Sequence, residues 1–137
     1  YLKQLVKELN VENDTLFTGF IDQNSVHEYQ NMLDISVSVS IDDSESFGVA
    51  IIEASACEKP VVVSNMGGLP EVVEDGKTGF VVESKNPEMI VDAISKLIEN
   101  PELRIEMGKN GRERVLELYD WNNSVKKMIS IYQSLLN

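Results

Sequence analysis

Apolar residues in this chain fall into two rhythms. Short runs rich in β-branched or aromatic residues occur at 16–20 (LFTGF), 34–40 (DISVSVS), 60–64 (PVVVS) and 79–83 (GFVVE). All are bounded by Gly, Pro, Asp or Asn, the punctuation of strands. Between them the spacing becomes helical. Residues 25–33 can turn Val26, Tyr29, Met32 and Leu33 toward a core, 47–58 are apolar almost all round, and 69–75 predict a short helical turn. The opening YLKQLVKELN reads as an amphipathic helix. Strands alternating with helices imply parallel pairing through right-handed crossovers. A run such as VVV fits a sheet covered on both faces. The expected fold is therefore α/β: an open, doubly wound parallel sheet of about four strands with helices on both faces.

No strand pattern follows residue 83. Asn86-Pro87-Glu88 and Asn100-Pro101-Glu102 are two copies of one helix start, Asn as N-cap and Pro at the first helical position. Met89, Ile90, Ala93, Ile94, Leu97 and Ile98 form one face of the first helix. Asp120 can cap a final helix striped with Trp121, Val125, Met128, Tyr132 and Leu135. Gly108 and Gly111 predict a kink or break between the two. Open sheets of this class usually have five or more strands, so the pattern predicts a domain whose opening strand precedes Tyr1.

Composition narrows the class. At 137 residues, 42% hydrophobic and 26% charged, the chain matches one ordinary globular domain. No apolar run approaches the roughly 20 residues of a membrane span, and the first residues lack a signal peptide's core. A net charge of −11 argues against a nucleic-acid groove or an anionic membrane surface as partner. An anionic small molecule is still compatible, because backbone amides at a helix start hold anions without lysine. The single cysteine, Cys57, suits a reducing compartment. The expected location is the cytoplasm, where a longer parent protein could lie peripherally against a membrane.

Candidate chemistry starts from one misfit. Glu53 interrupts the apolar run from Phe47 to Cys57, and a buried carboxylate is costly unless hydrogen-bonded by the protein or by a ligand. Ligands of open α/β sheets sit beyond the carboxyl ends of the strands. There the loop IDDSESFG leads into the helix, and Gly48 lets a ligand approach the first free N–H groups. That helix start can hold a diphosphate. Glu53 would lie about 7–8 Å further along the axis, a distance suited to a ribose whose two hydroxyls donate to a carboxylate. Glu45, ahead of the helix, would face a sugar on the distal phosphate. Together these make a nucleotide-sugar site.

The stretch ESFGVAIIEASACEKPVVVSNMGGLPEVVEDGKTGFVV resembles the donor-binding signature of retaining glycosyltransferase family 4, the group 1 enzymes of the two-lobed GT-B fold. Its elements are two glutamates seven residues apart, then KPVV, GGLPEVV and G-x-TGF. The likeness extends from TLFTGFIDQNSVHEYQNMLDISV through NPELRIEMGKNGRERV to YDWNNSVKKMISIY, nearly the whole chain in order. The resemblance implies a Rossmann-like, C-terminal donor lobe spanning 1–137 and incomplete at its N-terminus. It implies that Glu45 is the catalytic residue, holding the donor sugar with Ser46 and Phe47. Phe47, Gly48 and Val49 would meet the diphosphate, Glu53 the ribose, and Gly19, Phe20 and Ile21 the base. Ser46 stands where many relatives carry glycine, which implies an adjusted sugar pocket. The implied reaction is metal-independent transfer of a glycosyl group from a nucleoside-diphosphate sugar to a hydroxyl acceptor, with retention, in a cleft against an acceptor lobe. No cofactor is implied. The family's basic Arg and Lys, which neutralise the diphosphate, fall ahead of Tyr1. The fragment is therefore expected to be inactive alone and to bind donor weakly.

Other residues have blander readings. Asp42 and Asp43 read as a solvated acidic loop, and DDSE lacks the ligand spacing of a calcium loop. His27 reads as a surface histidine, Cys57 as packing, and Gly67-Gly68 as a tight turn. The stripe after Trp121, without a partner lobe, predicts a sticky face and self-association. Two alternatives stay open at this point: a sugar-nucleotide epimerase of the same architecture, and a non-catalytic nucleotide-sugar-binding module.

Overall fold

The computed structural model describes residues 1–42 and 47–136. In chain order these form α1 (Leu2–Glu8), α2 (Val26–Met32), β1 (Ser36–Ser38), α3 (Val49–Ala56) and β2 (Val61–Ser64). They continue with α4 (Leu69–Val72), β3 (Gly79–Val82), α5 (Pro87–Glu99), α6 (Pro101–Leu118) and α7 (Trp121–Leu135). Short 3₁₀ turns occupy Glu12–Asp14 and Gln23–Ser25. The three strands lie parallel in the order β1-β2-β3, with Val62 opposite Val37 on one side and Phe80 on the other.

Side chains on a strand alternate between faces, and β2 uses both. Val61 and Val63 pack with Ile51 and Ala54 of α3 and with Leu69 and Val72 of α4. Val62 points the other way, into Val82, Ala93, Leu97 and Met107. All three valines are fully buried, as a central strand covered on both faces requires. Asn86, Asn100 and Asp120 cap α5, α6 and α7, each side chain accepting the backbone N–H three residues on. The predicted helix starts and the layered α/β order stand.

Two expectations are corrected. Residues 16–20 form no strand: among the described residues no backbone pairs with them. Leu16 is 84% and Phe20 97% exposed. Without a ladder partner an apolar run has nothing to convert its strand propensity into structure, so the sheet has three strands. Nearby, Tyr29, Met32 and Leu33 line an open groove of about 510 Å³ instead of entering a core.

The second correction concerns Gly108 and Gly111. Helix α6 runs unbroken through both. A Cβ on Gly108 would stand 2.1 Å from the carbonyl oxygen of Glu58, and one on Gly111 would stand 3.4 Å from Cβ of Ser55. The glycines do not break the helix; they let α6 touch the end of α3. That end is a Schellman-type turn, with Lys59 N–H donating to Ala54 O at 3.0 Å and Glu58 N–H to Ser55 O at 3.0 Å. Arg112 of α6 donates to the carbonyl of Ala56.

Arg114 performs a similar service for α4. Its Nε donates to Val72 O at 2.9 Å and its Nη2 to Glu71 O at 3.0 Å, satisfying carbonyls that a helix end leaves without partners. Replacing Arg114 by Leu keeps the aliphatic bulk and removes the donors. The expected loss is about 2 kcal/mol, read as a lower urea midpoint with an unchanged slope. The last helix, α7, buries none of its residues; Trp121 is 77% and Leu135 76% exposed, as the stripe reading predicts.

Candidate functional site

The strand tips are fastened together at their carboxyl ends. Ser40 N–H donates to Ser64 Oγ at 2.8 Å, Ser84 Oγ donates to Ser40 O at 3.0 Å, and Ser84 N–H donates to Asn65 Oδ1 at 2.9 Å. From these tips the chain passes to the start of α3. Glu45 and Ser46 lie on this passage, outside the described residues. Phe47 is exposed on one side and meets Tyr119 edge-to-face at 5.9 Å on the other.

Gly48 is the N-cap of α3, with φ +73° and ψ +42°, a left-handed conformation that glycine adopts without steric cost. Its carbonyl accepts from Ile51 at 2.9 Å and Ile52 at 3.2 Å. Among the described residues no acceptor reaches the N–H groups of Val49 and Ala50. They are the donors an anion would use. A Cβ on Gly48 would press on Leu69 Cδ2 at 3.0 Å and on the disfavoured φ as well. Gly48→Ala is expected to cost about 1–2 kcal/mol of stability. It should also weaken nucleotide binding by tilting the helix start, measured as paired shifts in melting temperature and affinity.

Helix α3 is less enclosed than its composition suggests. Ile51, Ala54 and Ser55 are its buried residues. At 100° per residue, Val49 and Glu53 share the opposite face, where Val49 is exposed and Glu53 half-buried. Glu53 is thus a marginal carboxylate, not one sealed in apolar surroundings. The protein supplies one of its donors: Gln23 Nε2 donates to Glu53 Oε1 at 3.0 Å. Among the described residues no donor reaches Oε2. Sequence reading missed Gln23. The available signal was the Asx turn around it, in which Asp22 Oδ1 accepts from Asn24 N–H at 3.0 Å.

Gly19, Phe20 and Ile21 lead directly into that turn. Gly19 has φ +69° with open space where a Cβ would point. Phe20 is fully in solvent and Ile21 half-buried. The Gln23–Glu53 hydrogen bond ties the turn just after the 19–21 segment to the outer face of α3, across thirty residues of sequence. An open cavity of about 190 Å³ beside the pair is lined by Gln23, Val26, His27, Glu53, Ala56 and Cys57. Among the described residues no group of three or more His, Cys, Asp or Glu side chains could hold a metal ion. Nor is any helix there long and apolar enough to cross a membrane.

A family profile described as "Glycosyl transferases group 1" matches residues 1–114. N-acetyl-alpha-D-glucosaminyl L-malate synthase of Bacillus anthracis is 35% identical over 133 residues, covering 97% of this chain and 34% of that protein. Among solved structures, sucrose-phosphate synthase from Thermosynechococcus elongatus superposes with a TM-score of 0.87 at 33% identity, covering 98% of this chain and 33% of that one. Anabaena HepE in complex with UDP and glucose gives 0.89 at 26% identity, covering 97% and 35%. The chain thus spans about a third of the length of these relatives.

Proposed function

As this chain belongs to the group 1 glycosyl transferases, we propose that it is the nucleotide-sugar donor lobe of a two-lobed GT-B enzyme of family 4. In this reading 1–137 belongs to the C-terminal lobe. The parent transfers a glycosyl group from a nucleoside-diphosphate sugar to a hydroxyl acceptor, with retention and without a metal. Glu53 accepts from the ribose hydroxyls, and Phe47, Gly48 and Val49 face the diphosphate. Gly19, Phe20 and Ile21 line the base, while Glu45, Ser46 and Phe47 hold the sugar, Glu45 being the catalytic residue. When the sugar–diphosphate bond breaks, its electron pair leaves on the diphosphate, and the N–H groups at the start of α3 stabilise that charge.

One observation carries this reading. The hydrogen bond from Gln23 to Glu53 ties the turn that follows residues 19–21 to α3, at whose start no acceptor among the described residues reaches the N–H groups of Val49 and Ala50. HepE, which carries UDP and glucose and superposes over nearly the whole chain, supports the same ligand class. The exposed face of α7 then packs on the acceptor lobe, and in the isolated chain it self-associates. The lone cysteine supports a cytoplasmic location, peripheral to the membrane for the parent. No observation favours the epimerase or the non-catalytic module.

The test is titration of the 137-residue chain with UDP, GDP and ADP by NMR. The amides of Ile21, Gly48 and Val49 are expected to shift in a saturable manner with at least one of the three. Shifts scattered elsewhere, or none, would reject the site. Glu45→Ala in the parent enzyme should erode discrimination between sugars while leaving affinity for the nucleoside diphosphate intact. Turnover by the isolated chain would contradict its role as one lobe.

A further inference from the structure

We propose that Gln23 is the positioning residue of this site. Its side-chain amide holds Glu53 so that Oε2 faces the paired hydroxyls of a ribonucleotide. The proposal rests on the ribose role of Glu53.

The geometry points to Gln23 through four observations. First, an ionised carboxylate only accepts, so the amide must turn its nitrogen toward Glu53 Oε1, 3.0 Å away. Second, the turn that carries Gln23 is fixed by its own backbone. Asp22 Oδ1 accepts from the N–H and the side chain of Asn24, both at 3.0 Å, and Asp22 O accepts from Ser25 N–H at 2.9 Å. The backbone that carries Gln23 is therefore fixed, and the bond to Glu53 restrains the torsions of both side chains together. Third, the pair is exposed, so its bond contributes little to folding. The expected effect lies in binding, where restraint before the ligand arrives removes an ordering cost. Fourth, an open cavity borders the pair on the side of Ala56 and Cys57, so packing does not seal the pair.

The experiment compares ribose with deoxyribose. Wild-type chain, Gln23→Ala, Gln23→Leu, Gln23→Lys, Glu53→Ala and the Gln23→Ala/Glu53→Ala double variant are titrated with UDP, GDP and ADP. Each nucleotide is paired with its 2′-deoxy counterpart. Wild type is expected to prefer the ribonucleotide, and Glu53→Ala to erase that preference. Gln23→Ala and Gln23→Leu should each reduce it about three- to tenfold at an unchanged melting temperature. Gln23→Lys, which keeps a donor, should retain part of it. In the Glu53→Ala background, Gln23→Ala should change nothing further.

The failures are separable. If Glu53→Ala erases the ribose preference but Gln23→Ala and Gln23→Leu leave it intact, or tighten binding, Gln23 does not position this acid and the proposal falls alone. A further loss from Gln23→Ala in the Glu53→Ala background would show that it acts elsewhere. If Glu53→Ala leaves the preference untouched, or no nucleotide shifts any amide, the ribose role falls and takes this proposal with it.

Discussion

Glu53→Ala is expected to weaken binding of the preferred nucleoside diphosphate roughly 100-fold. Two hydroxyls donating to a carboxylate contribute about 3 kcal/mol together, and 1.4 kcal/mol is a factor of ten. The fold should tolerate the change. Glu53 lies on the face of α3 opposite its buried residues Ile51, Ala54 and Ser55, and the bond it loses, to Gln23, is exposed. An unfolding midpoint within about 0.5 kcal/mol of wild type is therefore the control that gives the affinity its meaning. Glu53→Gln sharpens the result. The amide keeps shape and one acceptor but faces Gln23 Nε2 or a ribose hydroxyl with an N–H, so about a tenfold loss is expected. Unchanged affinity in both variants, with the fold intact, would remove Glu53 from the site.

The second large effect is on stability. Gly108→Ala should destabilise the chain by about 3 kcal/mol, and helix propensity predicts the opposite sign. In an exposed helix interior, alanine is better than glycine by about 1 kcal/mol. At Gly108, however, the new Cβ would lie 2.1 Å from the backbone oxygen of Glu58. A carbonyl inside a hydrogen-bonded helix-terminal turn cannot step aside as a flexible side chain does. Either α6 withdraws from α3 or the turn opens, and both expose the packing around Met107 and Leu97. Gly111→Ala is the internal comparison. Its nearest contact is 3.4 Å, with Cβ of Ser55, so propensity decides and stability should hold or rise slightly. Equal effects from the two substitutions in urea unfolding would refute the close-approach account.

Much of this was legible in the sequence, and the parts that were not share a cause. Asn86, Asn100 and Asp120 announce helix starts through contacts made within three residues. The valines of β2 announce a two-sided central strand by composition alone. Gly48 and Glu53 stand out as candidates by motif and spacing, whereas Gly19 to Ile21 come only from the family resemblance. Gln23 is not legible: the Asx turn around it marks a turn and not a role, and its partner is thirty positions away. The same holds for Gly108 and Gly111. Read locally they are helix breakers, and only the neighbouring helix explains why a side chain must be missing there.

The sequence by itself determined the order of the helices and of the three strands that form, the capped helix starts, a central strand buried on both faces and the two-glutamate pattern. These follow from periodicity and from interactions that close within a turn. Only the tertiary structure decided that 16–20 stays out of the sheet, that α6 passes both glycines without breaking, and that Glu53 sits at a margin with one oxygen held by Gln23. Each of these depends on what packs against the segment. A strand needs a neighbour's backbone, a helix glycine needs a close companion to give it a purpose, and a carboxylate's burial is set by the whole surface around it.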